Sequence, residues 1–277
     1  MIAPVATCLA SGITGAEGPC TTIDGRIFMV GPDQGRVVEV MENGGFLDLA
    51  NTGGIPAGLQ LDRDGSLLVA DMKLGILRVT MDGALHDVVR EFSGAPVRGC
   101  NDLYLDSCGN LYFTAPAGSS QDHPVGELFC RLTDGSVVKL DDGFAFCNGL
   151  AVSAEDDILI VAETWTKRLI AYDLPAAGVV ANKRVFATLS GDHWGGPDGI
   201  DFDADGNLIA TNWGGGVLEV FAPDRHLVRI IPLPFNKPSN VHFRSPGSTK
   251  LLVTEHDSHG LWSLDYSHPG QPQYAWS

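Results

Sequence analysis

Four carboxylate or amide side chains stand at the same place of a short motif that the chain repeats six times. Successive copies are about 40 to 50 residues apart, and the marked place is the second residue of each copy. The residues at this place are Glu17, Ala57, Asn101, Asn148, Asp198 and Ser239. Two carboxylates, two amides and a hydroxyl in equivalent positions indicate a shared site if the repeats surround one axis.

This set of side chains favours a divalent cation. Carboxylates that face each other across a narrow channel repel and raise each other's pKa, and a cation removes the repulsion. The ligands are all oxygen, which Ca²⁺, Mg²⁺ and Mn²⁺ prefer, whereas Zn²⁺ and Fe²⁺ more often recruit nitrogen or sulfur. Three or four protein ligands leave positions open for water and substrate, as in catalytic sites. The sequence predicts one divalent cation, with Ca²⁺ preferred and Mg²⁺, Mn²⁺, Zn²⁺ or Fe²⁺ as alternatives.

Any single member of the set has a simpler interpretation. Asn148-Gly149 alone indicates a turn, and a lone polar residue can cap the start of a strand. The agreement in position among four copies favours a common ligand site over four unrelated turns.

The motif opens a unit of short strands. Each copy continues with an alternating run, such as Leu103-Tyr104-Leu105, and then with a tight turn, such as Asp205-Gly206. An apolar run follows, such as Leu67 to Ala70, and then a third run that Gly often opens. Asp-Gly between apolar runs is a strong hairpin signal because Gly tolerates positive φ. Three or four antiparallel strands at this period are typical of a β-propeller blade.

Six copies predict six blades. We predict that residues 1–277 form one all-β domain, a six-bladed β-propeller with four-stranded antiparallel blades around a central metal-containing channel. The first apolar run, Pro4 to Leu9, precedes the first motif, and we expect it to complete the last blade and close the ring. The innermost strands of a propeller line its channel, so the marked residues should lie at one height.

Composition narrows the classes of partner. The chain has 34 acidic and 18 basic residues, a formal net charge of −16, and lacks the Lys and Arg clusters of a nucleic-acid binder. No stretch approaches the roughly 18 to 20 apolar residues that span a bilayer, and the first residues do not resemble a secretory signal. The six cysteines form no CxxC pair. We expect a cytoplasmic protein with reduced thiols, a monomer or weak homo-oligomer, that binds neither nucleic acid nor membrane.

A second group of candidate residues should surround the mouth of the channel. The second strand of each blade returns to the face where the motif begins, so the residues after it should form a rim. Glu163, Trp165 and Trp213 follow such strands, and loops that enter innermost strands add Arg98 and His193. We predict that they contact a small polyhydroxylated or cyclic substrate, although an exposed loop residue more often has no such role.

The chain resembles the gluconolactonase / senescence marker protein (regucalcin) family along its whole length. The motifs that carry the resemblance are Glu17-Gly18-Pro19, Asn101-Asp102-Leu103, Cys147-Asn148-Gly149-Leu150 and Pro197-Asp198-Gly199. The resemblance implies a six-bladed propeller with a divalent metal on its axis, bound directly by Glu17, Asn148 and Asp198. It also implies that Asn101 either binds the metal or contacts the substrate.

The first hypothesis is a metal-dependent hydrolase that opens a lactone, with an aldonolactone of the gluconolactone type as the expected substrate. The metal would bind the carbonyl oxygen and stabilise the developing oxyanion, and water activated by the metal or by Asp198 would attack the carbonyl carbon. Asp198 and Glu17 are the predicted catalytic residues. This chain has Gly99 where the sugar lactonases of the family carry an Arg, and its own Arg98 stands one residue earlier.

Two alternatives remain open. A ring carboxylate could act as the nucleophile of a phosphotriester or P–F hydrolase, and parallel rates on a lactone and a phosphotriester would separate the two activities. The chain could also be a non-catalytic calcium-binding or ligand-binding propeller that uses the ring for a structural ion. A closed shell of protein ligands would favour that interpretation.

Overall fold

The computed structural model describes residues 5–245 and 247–276 of the chain. Six four-stranded antiparallel sheets form a ring, which confirms the predicted six-bladed β-propeller. The first strand, β1 (Ala6–Ser11), pairs with the last strand of the chain and completes the sixth blade, so the predicted closure of the ring is also confirmed. Pro4, where the sequence predicts that strand to begin, lies outside the described residues.

Each blade runs from an innermost strand to an outer strand. Blade 1 comprises β2 (Glu17–Thr21), β3 (Ile27–Gly31), β4 (Arg36–Val40) and β5 (Phe46–Asn51). Blade 2 comprises β6 (Pro56–Leu61), β7 (Leu67–Asp71), β8 (Gly75–Val79) and β9 (Leu85–Val89). A short hairpin, β10 (Glu91–Phe92) and β11 (Ala95–Pro96), leads to blade 3, which comprises β12 (Leu103–Leu105), β13 (Leu111–Ala115), β14 (Gly126–Arg131) and β15 (Val137–Phe144).

The second half of the ring repeats this order. Blade 4 comprises β16 (Cys147–Val152), β17 (Ile158–Glu163), β18 (Arg168–Ala176) and β19 (Val179–Thr188). Blade 5 comprises β20 (Gly196–Phe202), β21 (Leu208–Trp213), β22 (Val217–Phe221) and β23 (Leu227–Pro232). Blade 6 comprises β24 (Pro238–Phe243), β25 (Lys250–Glu255), β26 (Gly260–Asp265) and β1.

Helical structure is confined to single 3₁₀ turns in the part of the chain that the structure describes. These turns are η1 (Pro32–Gln34), η2 (Thr164–Thr166) and η3 (Tyr274–Trp276). None of the helices found in residues 5–245 and 247–276 has the length and apolar character needed to cross a bilayer.

The core lies between neighbouring blades because the second strands are apolar on both faces. β3 and β7 are buried along their whole length, whereas the outer strand β9 is largely exposed. Tyr112 of blade 3, Ile160 of blade 4 and Phe202 of blade 5 belong to one buried cluster. The continuous apolar runs of the sequence therefore hold adjacent blades together.

The strand register places the ring residues and the rim residues on the same face. Cys147 at the start of β16 pairs with Glu163 at the end of β17, and Pro197 pairs with Asn212 near the end of β21. The marked residue directly follows the paired one in each of these innermost strands. Loops that follow second strands therefore begin beside the marked residues.

The segment after β26 crosses the opposite mouth of the channel. Gln271 donates hydrogen bonds from Nε2 to the Tyr104 hydroxyl (2.5 Å) and to the Val152 carbonyl (2.7 Å). Trp276 packs against His242, with ring centroids 5.9 Å apart. These partners lie in the far halves of innermost strands, so this segment narrows the channel at the end remote from the marked residues.

Candidate metal centre

The Asn148 side chain is held with its amide oxygen unpaired. Its Nδ2 donates to Thr164 Oγ1 (3.2 Å), and Thr164 in turn donates to the Pro197 carbonyl (2.8 Å). The amide nitrogen is therefore committed, while Asn148 Oδ1 is buried and has no hydrogen-bond partner among the described residues. An unpaired buried acceptor costs about 1–3 kcal/mol, and a cation in the ring would supply the missing partner.

Asp198 is buried and Glu17 is half-buried in the same ring. The Asp198 residue is 7% exposed and the Glu17 side chain is 15% exposed. Burial raises the pKa of both carboxyls. Repulsion raises it further: Glu17 is repelled by Asp102, and Asp198 is repelled mainly by Glu17. The Asn101 side chain, half-buried at the same place of blade 3, makes no hydrogen bond to any described residue. Two carboxylates and two amides at these positions supply the oxygen ligands that a hard divalent cation prefers.

A hydrogen bond spans the channel next to the ring. Asp102 and Asn240 each directly follow a marked residue, in the opposite blades 3 and 6, and Asn240 Nδ2 lies 3.4 Å from Asp102 Oδ2. Asn240 Oδ1 accepts from the Gly18 amide (3.1 Å), and burial raises the pKa of Asp102 to about 7. Sequence analysis missed both residues. The available signal is that Gly occupies this place in the other four copies of the motif.

Glycine after the marked residue allows the innermost strands to crowd together. A Cβ atom on Gly149 would lie 2.3 Å from the Asp198 carbonyl oxygen, and one on Gly58 would lie 2.7 Å from the Asn101 carbonyl oxygen. No side chain fits at such distances. The close approach keeps the ring narrow enough for side chains of several blades to reach one ion.

Four buried hydroxyls link blades 3, 4, 5, 6 and 1 in succession at the level of the ring, and we call them the hydroxyl belt. The bonds, each 2.8 Å, run from Thr114 to the Asn148 carbonyl, from Thr164 to that of Pro197, from Thr211 to that of Ser239 and from Ser239 to that of Ala16. The accepting carbonyls belong to marked residues or directly precede them, so the belt fixes the backbone of the ring.

The belt changes the interpretation of one ring position. Sequence analysis counted the Ser239 hydroxyl among the groups that converge on the channel, but this hydroxyl bonds the Ala16 carbonyl and Thr254 Oγ1 (2.8 Å each). The belt threonines were also missed. Their signal is a hydroxyl at the end of an apolar second-strand run, as at Thr114 and Thr211.

A rim tryptophan bonds a histidine that lies beside a ring carboxylate. Trp213 Nε1 donates to His256 Nδ1 (3.1 Å). Because an indole nitrogen can only donate, Nδ1 is the acceptor and the imidazole proton is on Nε2. His256 Nε2 lies 3.0 Å from Glu17 Oε1. Sequence analysis predicted Trp213 but did not select His256, although His256 directly follows the second strand of its blade.

The predicted contact residue Glu163 is buried at the end of β17, where its carboxylate binds its own blade. Its Oε1 accepts from the Ala145 amide (2.9 Å), and its Oε2 forms an ion pair with Arg168 (2.6 Å). These bonds hold the turn that leads into β18. The structure therefore shows a carboxylate that is occupied by its own loop.

Among the described residues, neither the predicted histidine nor the predicted arginine forms a hydrogen bond or ion pair with a ring carboxylate. His193 Nε2 is 2.8 Å from Asn212 Oδ1 and 3.1 Å from Lys167 Nζ. Asn212 Nδ2 donates to the Ser190 carbonyl (3.1 Å), which turns the amide oxygen of Asn212 toward His193. Arg98 is exposed before β12 and forms no ion pair with any described residue.

The two predicted tryptophans meet on either side of a third. Trp194 stacks on Trp165 with ring centroids 4.8 Å apart and meets Trp213 edge-to-face at 5.2 Å. Trp165 also packs against Phe146, at 5.6 Å. The structure thus brings Trp165 and Trp213 together into an aromatic wall on the face that carries the ring.

Comparisons with known proteins agree with this architecture. The family model described as SMP-30/Gluconolactonase/LRE-like region matches residues 15–257. The chain is 38% identical over 303 residues to diisopropyl-fluorophosphatase of Loligo vulgaris, which covers 99% of this chain and 96% of that protein. It is 27% identical over 279 residues to pentonolactonase XacC of Haloferax volcanii, with 93% of each chain covered.

A solved structure supports the fold. The chain superposes on a gluconolactonase of Xanthomonas campestris with a TM-score of 0.84 and 24% identity, covering 96% of this chain and 90% of that one. At this identity the similarity concerns the propeller fold and not the substrate.

Proposed function

The chain belongs to the SMP-30/gluconolactonase/LRE-like family, and from this premise we propose that it is a divalent-metal-dependent hydrolase that opens a lactone ring, with an aldonolactone as substrate. The observation that carries the proposal is the unpaired, buried Asn148 Oδ1 in a ring with the buried carboxylate of Asp198 and the half-buried carboxylate of Glu17. Relatives named pentonolactonase and gluconolactonase support the reaction class.

The proposal assigns Glu17, Asn101, Asn148 and Asp198 to hold the cation, with Ca²⁺ as the first ion to test. When bound there, a divalent cation polarises a carbonyl group and stabilises negative charge that develops on its oxygen. His256 Nε2 lies 3.0 Å from Glu17 Oε1, at the edge of this site. Because the amide of Asn148 is fixed by Thr164, its oxygen needs no rearrangement to act as a ligand.

Asp198 is the proposed general base. In this step its carboxylate takes a proton from a water molecule as the water oxygen bonds to the lactone carbonyl carbon. The ring C–O bond then breaks, and the same proton passes to the departing alkoxide, which gives a hydroxy acid. In the metal-free protein, burial and the nearby Glu17 raise the pKa of Asp198. Trp165, Trp213 and Arg98 are the proposed substrate contacts.

A pH-indicator assay on metal-stripped protein tests this function. Aldono- and γ-lactones are supplied with Ca²⁺, Mg²⁺, Mn²⁺, Zn²⁺ and Fe²⁺ added back one at a time, beside an Asp198→Ala variant of matched thermal stability. Metal-restored acid release that the variant lacks is the expected result. Acid release that persists in folded Asp198→Ala would contradict the assigned role of this residue.

A second candidate function has a specific observation in its favour. The 38% identity to diisopropyl-fluorophosphatase extends over 99% of the chain, so a hydrolase of phosphotriester or P–F bonds is the alternative. In that reaction a ring carboxylate would attack phosphorus as a nucleophile. Rates on glucono-δ-lactone and diisopropyl fluorophosphate, measured on one preparation, decide between the two, since the physiological activity should be faster by orders of magnitude.

A further inference from the structure

Trp194 is held in an exposed position that core packing does not explain. The residue is 70% exposed, and it lies in the loop directly before β20. Its ring stacks on Trp165 (4.8 Å between centroids, 29° between planes) and meets Trp213 edge-to-face (5.2 Å, 75°). A large apolar side chain that is exposed and braced from two directions indicates a binding surface.

The backbone beneath Trp194 is fixed by two glycines. Gly214 has φ +86°, and a Cβ atom on it would lie 2.2 Å from the Trp194 carbonyl oxygen. A Cβ atom on Gly195 would lie 2.7 Å from Trp213 Cε3. The loops before β20 and after β21 therefore cross in direct contact. This crossing holds the indole in one orientation, so little entropy is lost when a ligand covers it.

The tryptophan pair borders a cavity that is otherwise polar. The cavity has a volume of about 700 Å³, within the usual range for small-molecule sites. Its other lining groups supply hydrogen-bond donors and acceptors, and charges of both signs: Ser119, Ser120, Gln121, Asp122, Lys167, Asp192, His193 and Gly195. An aromatic platform with polar groups around it suits a sugar ring, whose C–H face meets the negative π face while its hydroxyls reach the polar groups.

Three side-chain contacts link Trp194 to the ring of the candidate metal centre. Trp194 meets Trp213 at 5.2 Å, Trp213 meets His256 at 6.3 Å between ring centroids, and His256 Nε2 lies 3.0 Å from Glu17. Trp194 and the ring therefore belong to one connected set of side chains on the same face of the propeller.

We propose that Trp194 and Trp165 form a second sugar subsite, and that the substrate is an aldonolactone carrying a further glycosyl unit. The lactone ring would lie at the metal centre and the glycosyl ring on Trp194. This inference rests on the proposed lactonase function. It assigns to Trp194 a role in specificity that is separate from the bond-breaking step.

The test compares cellobiono-δ-lactone with glucono-δ-lactone in the wild type, Trp194→Ala, Trp194→Phe and Val228→Ala. Val228 is the control, a 56% exposed apolar residue of β23. Trp194→Ala should lower kcat/KM for cellobionolactone about 10-fold, equivalent to about 1.4 kcal/mol, mainly through KM. The value for gluconolactone should stay within about twofold of that in the wild type. Trp194→Phe should recover most of the loss, and Val228→Ala should behave as the wild type does.

Binding of the ring-opened acids, cellobionate and gluconate, is measured by calorimetry on the same four proteins. If no lactone is hydrolysed but cellobionate binds more tightly than gluconate in a Trp194-dependent manner, the lactonase function fails and the subsite stands. If both lactones are hydrolysed and Trp194→Ala affects both or neither, the subsite is refuted. A change of oligomeric state in Trp194→Ala, seen by light scattering, would also overturn it, because the tryptophan would then serve a contact between two copies. Absence of both hydrolysis and binding refutes both.

Discussion

Replacement of Asp198 by Asn should make the metal-free protein more stable than the metal-free wild type. In excess cation, the variant should be less stable than the metal-loaded wild type. Asp198 is buried beside Glu17, and burial and repulsion raise the pKa of both carboxyls. Without a cation, the folded protein at neutral pH must either bear this repulsion or keep a proton bound. The asparagine keeps the shape of the side chain and removes one charge, so the melting temperature in chelator should rise.

The expected size of the cation effect follows from linkage. At a cation concentration of 100 Kd, binding stabilises the wild type by about 2.7 kcal/mol, which corresponds to a rise of roughly 5–11 °C in melting temperature for a protein of this size. Loss of one partner from a buried charge pair costs about 3–5 kcal/mol. A loss of this size raises the Kd of the variant for the cation at least a hundredfold. At the same cation concentration the variant should then gain only about 0.4 kcal/mol, or about 1 °C.

Differential scanning fluorimetry in EGTA and in excess Ca²⁺ measures both effects. Glu91→Gln is the matched control, since it removes one negative charge from an exposed residue of β10. The control should show the wild-type shift with Ca²⁺. The reasoning is refuted if Asp198→Asn melts below the wild type in EGTA and still gains the full wild-type shift with Ca²⁺.

Three further predictions follow from the same contacts. In metal-free protein, the stability advantage of Asp102→Asn over the wild type should grow as pH rises from about 4 to about 7 and then level off. Burial raises the folded-state pKa of Asp102 from 3.8 to about 7, so the wild type loses stability across that window. An advantage that shrinks with rising pH in matched melting experiments would contradict this. Thr211→Val should lower the free energy of unfolding, measured in urea, by about 1–3 kcal/mol, because it removes bonds to the Gly199 and Ser239 carbonyls. The control Thr188→Val, at an exposed position, should have little effect, and equal losses in the two variants would argue against the hydroxyl belt. Trp213→Phe removes the donor to His256 Nδ1 and should lower kcat by about 3- to 10-fold, equivalent to about 0.6–1.4 kcal/mol. Circular dichroism should show an unchanged fold. An unchanged kcat would show that this bond does not position the ring residues.

The blades could be predicted because their signals are local. Tight turns such as Asp205-Gly206, and runs such as Leu67 to Ala70, recur at a period that few other folds share, and the strand at Ala6–Ser11 follows from the count of strands. The short hairpin β10–β11 lies outside the repeat and escaped detection. Three points stay predictions: that residues 1–277 form a single domain, the roles of the ring residues, and the identity of the cation.

Contacts between blades could not be read from the repeat. The bond between Asp102 and Asn240 joins residues far apart in sequence, and it exists only because blades 3 and 6 face each other across the channel. Likewise, the choice between His193 and His256 as the neighbour of Glu17 depends on the loop that carries each ring. A sequence repeat specifies which positions are equivalent, but the three-dimensional closure decides which of them touch.

The pairing of β1 with β26 has a consequence for how the protein acquires its site. Ser239 of blade 6 bonds the carbonyl that precedes Glu17 of blade 1. This part of the ring of marked residues therefore forms only when blade 6 is complete and meets blade 1. Contacts of such long sequence separation form slowly, since the entropy of closing a large loop is lost before they gain anything. We therefore expect refolding to populate a partly assembled intermediate with native blades, and high cation affinity to appear only in the last kinetic phase, together with closure of blade 6.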